Sequence, residues 1–349
     1  MTDPFSTPQT ELPRDRWGRP LITPPEGGDP VAYTRCTTFV GVLEDTYHLS
    51  LWSQRMVARG MAIRPDLVLA ASALDDPKDQ YQKRSLNDVA KQAREAAGAG
   101  AAAITGTALH TMSERIDRGE PIDSIPEAFR ADLEAYRRVT KGLETVAIEG
   151  FCVRDDLRVG GSYDRITRFT AEFLDAYEER HGGRLHYPDL VEVQPGDAVI
   201  GDLKTGNVDF GIGKIAMQLG VYANSVDYDH TIGARSPLAA NPSKDWGVII
   251  HLPAGTGNAR LLWVDVRAGF ETASTLAKDV QEWRKRKDLS AQFASTSVAP
   301  RRPASIVEQI REAKSYDALT ALYAMNKAQW TPGLTDLAKA RRAELEAAG

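Results

Sequence analysis

The chain has 349 residues, 42% hydrophobic and 26% charged, with a formal net charge of −5. That length supports one large domain plus an appendage, and the charge balance excludes a general nucleic-acid coater. The only cysteines, Cys36 and Cys152, are too few for a disulfide framework or a four-thiolate iron–sulfur cluster, and with no membrane-length apolar run and no signal-peptide core a cytoplasmic location is expected.

In chain order, residues 1–30 hold seven prolines and few apolar side chains, which predicts a disordered arm. Apolar spacing then predicts helices over 43–61, 65–74, 85–97, 106–118 and 126–143. Strands are expected over 145–154, 158–169, 190–194 and 198–204, a helix over 212–226, strands over 246–252 and 259–266, and a long helix over 268–287. Residues 291–304, rich in Ser, Ala, Pro and Arg, predict a linker. Helices over 306–313, 316–325 and 334–348 form a tail whose Leu319, Leu322, Tyr323 and Met325 suit packing on the main domain or on a partner. The expected fold is α/β (α+β), a mixed central sheet flanked by helices. A helical cap precedes the sheet and a small helical region, 305–349, follows a main domain of 31–290.

One strand carries the most chemistry. Val199-Ile200-Gly201-Asp202-Leu203-Lys204 is an apolar run ending in an acid and a lysine two residues apart. Alternate residues of a strand share a face, so Asp202 and Lys204 project together and Leu203 faces away. A carboxylate able to hold a divalent cation then stands beside an ammonium able to orient water or steady negative charge. Two other acid-x-Lys tripeptides occur, Asp76-Pro77-Lys78 and Glu312-Ala313-Lys314. Proline discourages a central strand in the first, and helical spacing separates the two charges in the second.

The flanking segments add further groups. Gly160-Gly161-Ser162-Tyr163-Asp164 opens a strand, and Val146-Ala147-Ile148-Glu149 sets one acid in an apolar strand. Gly106 leads to His110 and Glu114, and Gln218 and Tyr222 lie four apart, on one face of a helix in each case. The order Gly-x-x-x-His, strand Glu, Gly-x-x-Asp, Asp-x-Lys, Gln-x-x-x-Tyr resembles the PD-(D/E)XK nuclease superfamily, in its RecB-like and phage-exonuclease branch. The resemblance spans about residues 31–290, including the opening Tyr33-Thr34-Arg35-Cys36-Thr37-Thr38-Phe39. Asp164 and Asp202 are 38 positions apart, more than a tight hairpin needs; the extra piece, with Tyr177-Glu178-Glu179-Arg180-His181-Gly182-Gly183, reads as an insertion.

The resemblance implies a restriction-endonuclease-like core and a metal-dependent DNA exonuclease of recombination, repair or replication. It implies Mg²⁺ or Mn²⁺ held by Asp164, Asp202, the Leu203 carbonyl and Glu149, with His110 as nitrogen ligand. It gives Lys204 to the attacking water or the developing charge, and Gln218 and Tyr222 to the lysine or the phosphate. The two cysteines match the branch without an iron–sulfur cluster. With no Gly-x-x-x-x-Gly-Lys-Ser/Thr, no nucleotide cofactor of a helicase motor is expected. DNA is the implied partner, with a recombinase or annealing protein and self-association both compatible.

Alternatives stand beside these roles. His110 also reads as a structural histidine, Glu149 as a strand-edge acid, Glu114 as its substitute or as a helix-surface charge, and Gln218 with Tyr222 as helix packing. Arg35, Thr37 and Thr38 read either as contacts to a DNA-end phosphate or as helix caps. Arg284-Lys285-Arg286-Lys287 and Arg301-Arg302 are basic runs that suit DNA or solvent. The competing functions are an endonuclease on the same core and a degenerate, non-catalytic DNA- or recombinase-binding protein.

Overall fold

The computed structural model describes residues 11–76, 78–120, 125–209, 211–289 and 304–347. Two compact units divide between Lys285 and Arg286.

The first unit is built on a mixed eight-stranded sheet. Short strands β1 (Leu21–Ile22), β2 (Val31–Ala32) and β3 (Thr34–Arg35) lead into α1 (Cys36–Val40). Helices α2 (Tyr47–Ile63), α3 (Pro65–Ser72), α4 (Gln80–Ala96), α5 (Ala101–Asp117) and α6 (Glu127–Thr140) follow. The sheet then enters with β4 (Glu144–Arg154), β5 (Val159–Arg168), α7 (Ala171–His181), β6 (Ala198–Lys204) and α8 (Ile212–Ala223). It is completed by β7 (Val226–Asp229), β8 (Ala234–Ser236), β9 (Trp246–His251) and β10 (Arg260–Asp265). Helix α9 (Val266–Thr272) runs through a π-helical turn, Ala273–Ala277, into α10 (Lys278–Lys285). Strand order is β10-β9-β6-β5-β4-β7-β8, with β3 added beside β5.

β6 is central, antiparallel to β5 and parallel to β9. A strand covered on both faces needs apolar residues throughout, and six of its seven residues are buried. Its alternation feeds two cores. Ile200 joins Ile166, Ile249, Leu219 and Val266 on the α8–α9 side. Val199 and Leu203 join Leu109, Leu133, Val248 and Ile250 on the α5–α6 side. Helix α8 lies against α9 at backbone distance: a Cβ on Gly269 would stand 2.1 Å from the Ala216 carbonyl oxygen, and one on Gly220 2.5 Å from that of Val266.

Several expectations need correction. Residues 11–30 are not a disordered arm; residues 1–10 lie outside the described residues. β1 pairs with β2, and Ile22 is fully buried with Tyr33, Val153 and Tyr228. Thr23 donates its N–H to Tyr228 Oη at 3.0 Å, and the Arg235 guanidinium bridges the Thr23 carbonyl and Asp155. Long-range partners fix a segment whose local composition predicts none. Residues 190–194 form no strand: Leu190 has φ of 68° and is exposed, and the segment is tied by one isolated bridge, His186 with Glu192. The inserted piece instead carries α7, capped by the Thr170 hydroxyl on the Phe173 amide. The hairpin β7–β8 was not expected from the sequence.

The second unit contains α11 (Ile306–Glu312), α12 (Tyr316–Met325) and α13 (Pro332–Ala347). Its apolar residues, Ile310 and Leu319 with Leu322, Trp330 and Leu334, bury against one another, so Leu319 and Leu322 are spent on its own core. Most of the expected 291–304 linker, Arg301 and Arg302 included, lies outside the described residues. No described helix is long and apolar enough to cross a membrane.

The α8–α9 crossing gives a direct test. Gly269→Ala forces Cβ into backbone that cannot rotate away, and overpacking of this kind costs about 1–3 kcal/mol. Urea unfolding should show that loss, whereas an unchanged midpoint would mean the helices separate freely.

Candidate active site

The site lies where β5 and β6 part. Their antiparallel ladder runs from Arg168 and Ala198 to Arg165 and Gly201 and stops there. Further toward its N-terminus β5 takes β3 as its neighbour, through Val159 and Gly160. Asp164 and Asp202 are the first residues beyond the last rung. In place of a ladder bond, the Leu203 N–H donates to Asp164 Oδ2 at 3.0 Å.

Asp202 and Lys204 share the face that alternation assigns them, with Lys204 Nζ 2.6 Å from Asp202 Oδ2, while the Leu203 side chain is buried in the opposite core. Asp202 Oδ2 is buried, and the Lys204 ammonium is the group that offsets its charge. Burial, and next the charge of Asp164, hold the Asp202 carboxyl well above the ordinary range, against the pull of Lys204 and Arg165.

Helix α5 supplies the imidazole. A Cβ on Gly106 would stand 2.9 Å from Thr205 Oγ1, so its absence lets α5 lie on the turn after β6. One turn on, His110 Nδ1 is 3.4 Å from Asp164 Oδ2. Burial lowers the His110 pKa despite the nearby Asp164 carboxylate, favouring a neutral ring with a lone pair to give. Glu114, a further turn along, pairs with Arg118 at 3.4 Å.

Glu149 interrupts β4 opposite Asp164. Its neighbours keep register, Ile148 with Arg165 and Gly150 with Tyr163, but Glu149 has φ of 54°. A left-handed glutamate inside a strand is an outlier, and such positions gather at functional sites. Here it turns the side chain into an open groove of about 590 Å³ shared with His110, Glu114 and Thr205. Although the residue is exposed, partial desolvation of its carboxyl and the charges of Asp164 and Glu114 push its pKa up to about 7.

Beneath the carboxylates lies a buried cation that the motif comparison missed. Arg165 is 1% exposed; its Nε lies 3.1 Å from Asp117 Oδ2 and its Nη2 donates to Ser113 Oγ at 3.2 Å. Tyr136 donates its hydroxyl to Asp117. The available signal was the spacing of His110, Ser113 and Asp117, which share one helix face, with an arginine set in an apolar strand.

Gln218 donates to Tyr222 Oη at 3.3 Å, and the buried Tyr222 ring crosses Gly161, where a Cβ would meet its hydroxyl at 2.8 Å. The pair is thus an internal contact of the α8-side core, with Asp202 one of the charges that Tyr222 feels. Arg35, Thr37 and Thr38 are exposed where β3 meets α1, while Cys36 and Phe39 point inward. No side chain caps α1, so the capping alternative is not realised. Arg284 and Arg286 are engaged, with the Val42 carbonyl and Asp288 respectively.

Asp164, Asp202 and the Leu203 carbonyl offer hard oxygen donors of the kind that magnesium and manganese take. Asp202 Oδ2 is buried and faces the Lys204 ammonium at 2.6 Å, so a cation bound here would share this carboxylate with Lys204. Among the described residues no three His, Cys, Asp or Glu side chains form a ready ligand cluster. Magnesium does not require one, since it keeps several waters and commonly takes one or two carboxylates. Among known proteins, no family model and no curated sequence matches the chain.

Glu149 sets a pH test of this crowding. With its native pKa raised to about 7 from the ordinary 4.5, the folded state holds this proton more tightly than the unfolded chain. Its contribution to stability is therefore full below 4.5 and lost as pH rises through 7. Without added metal, Glu149→Gln should melt above the wild type at about pH 8, with the gap closing toward about pH 4.5. A gap independent of pH would make Glu149 an ordinary surface acid.

Proposed function

We propose that the protein is a metal-dependent deoxyribonuclease that hydrolyses phosphodiester bonds at DNA ends. The observation that carries this reading is the fork between β5 and β6, where the pairs His110–Asp164 and Lys204–Asp202 meet and the Leu203 amide ties Asp164 to β6. The ordered resemblance to the RecB-like and phage-exonuclease branch of PD-(D/E)XK nucleases supports it.

In this reading Asp164, Asp202 and the Leu203 carbonyl hold Mg²⁺ or Mn²⁺, with His110 as nitrogen donor and Glu149 adding a carboxylate at the groove. Such a cation supplies Lewis-acid activation of the phosphate and acidifies the water that attacks it. Lys204 stays beside Asp202 through an ion pair, where its ammonium orients the nucleophile or offsets charge on the phosphoryl oxygens. The Leu203 amide fixes Asp164 through Oδ2, the oxygen that His110 also faces. Arg165 partly compensates two acids held close together. Gln218 and Tyr222 back this arrangement from the α8 side, and Arg35, Thr37 and Thr38 offer an exposed cation and hydroxyls to a terminal phosphate.

End-labelled linear DNA tests the assignment. Asp202→Asn should abolish cleavage while the apo protein melts no lower than the wild type, because a buried, repelled carboxylate is removed. Lys204→Ala should keep Mn²⁺ binding by calorimetry and lose about 10²–10³-fold in turnover, the usual effect of deleting one electrostatic stabiliser. Full cleavage by folded Asp202→Asn would end the reading, and closed circular DNA nicked by the wild type would move it to an endonuclease.

His110→Ala separates ligand from scaffold. Nitrogen contributes more to manganese than to magnesium, so Mn²⁺-supported cleavage should fall further than Mg²⁺-supported cleavage. Equal losses that track a lower melting temperature would make His110 structural.

A further inference from the structure

The inserted segment between Asp164 and Asp202 builds a second concavity that shares no residue with the groove at the fork. Helix α7 leans over α6 and the β9–β10 edge and encloses a cavity of about 460 Å³, within the range of small-ligand pockets, about 300–1,000 Å³. Its floor is aromatic: Phe169 and Phe173 are buried, and the half-buried Trp263 packs at 5.8 Å from Phe169. Tyr177 on α7, its ring 4.3 Å from that of His181, forms one wall.

The rim is cationic. Arg138, Lys141, Arg180 and Arg260 line the cavity, and no carboxylate does. Arg138 and Arg260 are partly engaged, with the Gly257 carbonyl and His251 Nδ1. Among the described residues Lys141 and Arg180 have no ion-pair partner, and both are exposed. Aromatic walls select a flat ring over a flexible chain. Four cations with no acid among them select a multiply charged anion, and phosphate is the group that arginine forks match.

We infer that this pocket binds a nucleotide, its base among Phe169, Tyr177 and Trp263 and its phosphate at Lys141 and Arg180. The chemistry is the same for a free mononucleotide and for a nucleotide of a DNA strand. The inference rests on the pocket's own residues and holds whether or not the fork cleaves DNA.

Calorimetry on the full chain in excess chelator, where metal-dependent cleavage cannot occur, tests it with four probes. These are dAMP, a short 5′-phosphorylated oligothymidylate, inorganic phosphate and octanoate. Saturable binding of dAMP or the oligonucleotide is expected, weakened about 10-fold or more in the double variant K141E/R180E, which removes the charged partners of the phosphate. Phosphate alone, lacking a ring, should bind more weakly than dAMP. Both substitutions are at exposed positions, and an unchanged melting temperature verifies the fold. Tighter binding of dAMP identifies a free nucleotide as the source, and tighter binding of the oligonucleotide identifies a strand. No saturable binding of either, equal binding by K141E/R180E, or octanoate bound as tightly as dAMP would overturn the proposal.

Discussion

The site depends on a sheet that stops pairing. β5 gives one stretch of its edge to β6 and another to β3, leaving Asp164 beyond the last rung with β6. A buried backbone N–H left without an acceptor is costly, and the Leu203 amide finds one in the Asp164 side chain. The carboxylate is thus drawn into the gap by the same hydrogen-bond accounting that builds the sheet. Asp202 follows from the other side of the gap. It is buried because β6 is covered on both faces, so its charge is raised in energy before any ligand arrives.

Arg165 is the counterweight. A fully buried guanidinium is tolerable only with partners, and Asp117 and Ser113 on α5 supply them from beneath the sheet. Its field also reaches Asp164 and Asp202. Helix α5 therefore touches the site twice from one face, through His110 on Asp164 and through Asp117 on Arg165. Its seating on the turn after β6, allowed by Gly106, sets both at once.

Much of this was legible in the sequence because it is local and periodic. The two-residue spacing of Asp202 and Lys204 fixes their common face, and the four-residue spacing of Gly106 and His110 fixes theirs. β4, β5, β6, α8 and β9 fall within a few residues of their expected bounds because each carries a clean apolar pattern. What failed was set by distant partners. Ile22 is buried by Tyr33, between β2 and β3, and by Tyr228 on β7, and nothing in a proline-rich stretch announces that. Leu190 and Val191 look like strand residues, yet no neighbouring edge receives them and both are exposed. Glu149 is an ordinary strand residue by composition, and nothing in its sequence neighbourhood announces a left-handed backbone between two rungs that keep register.

The ladder also separates two kinds of freedom. The inserted segment leaves β5 and enters β6 at Arg168 and Ala198, the end away from the fork, and four paired rungs stand between it and the acids. Exposed length can therefore be added at that connection beyond the four rungs, while Phe169, Phe173, Tyr187 and Val193, which share the core of Leu203 and Leu109, stay fixed. The far end of this hairpin is a place where the chain can take on new surface, while the near end has almost no room to vary.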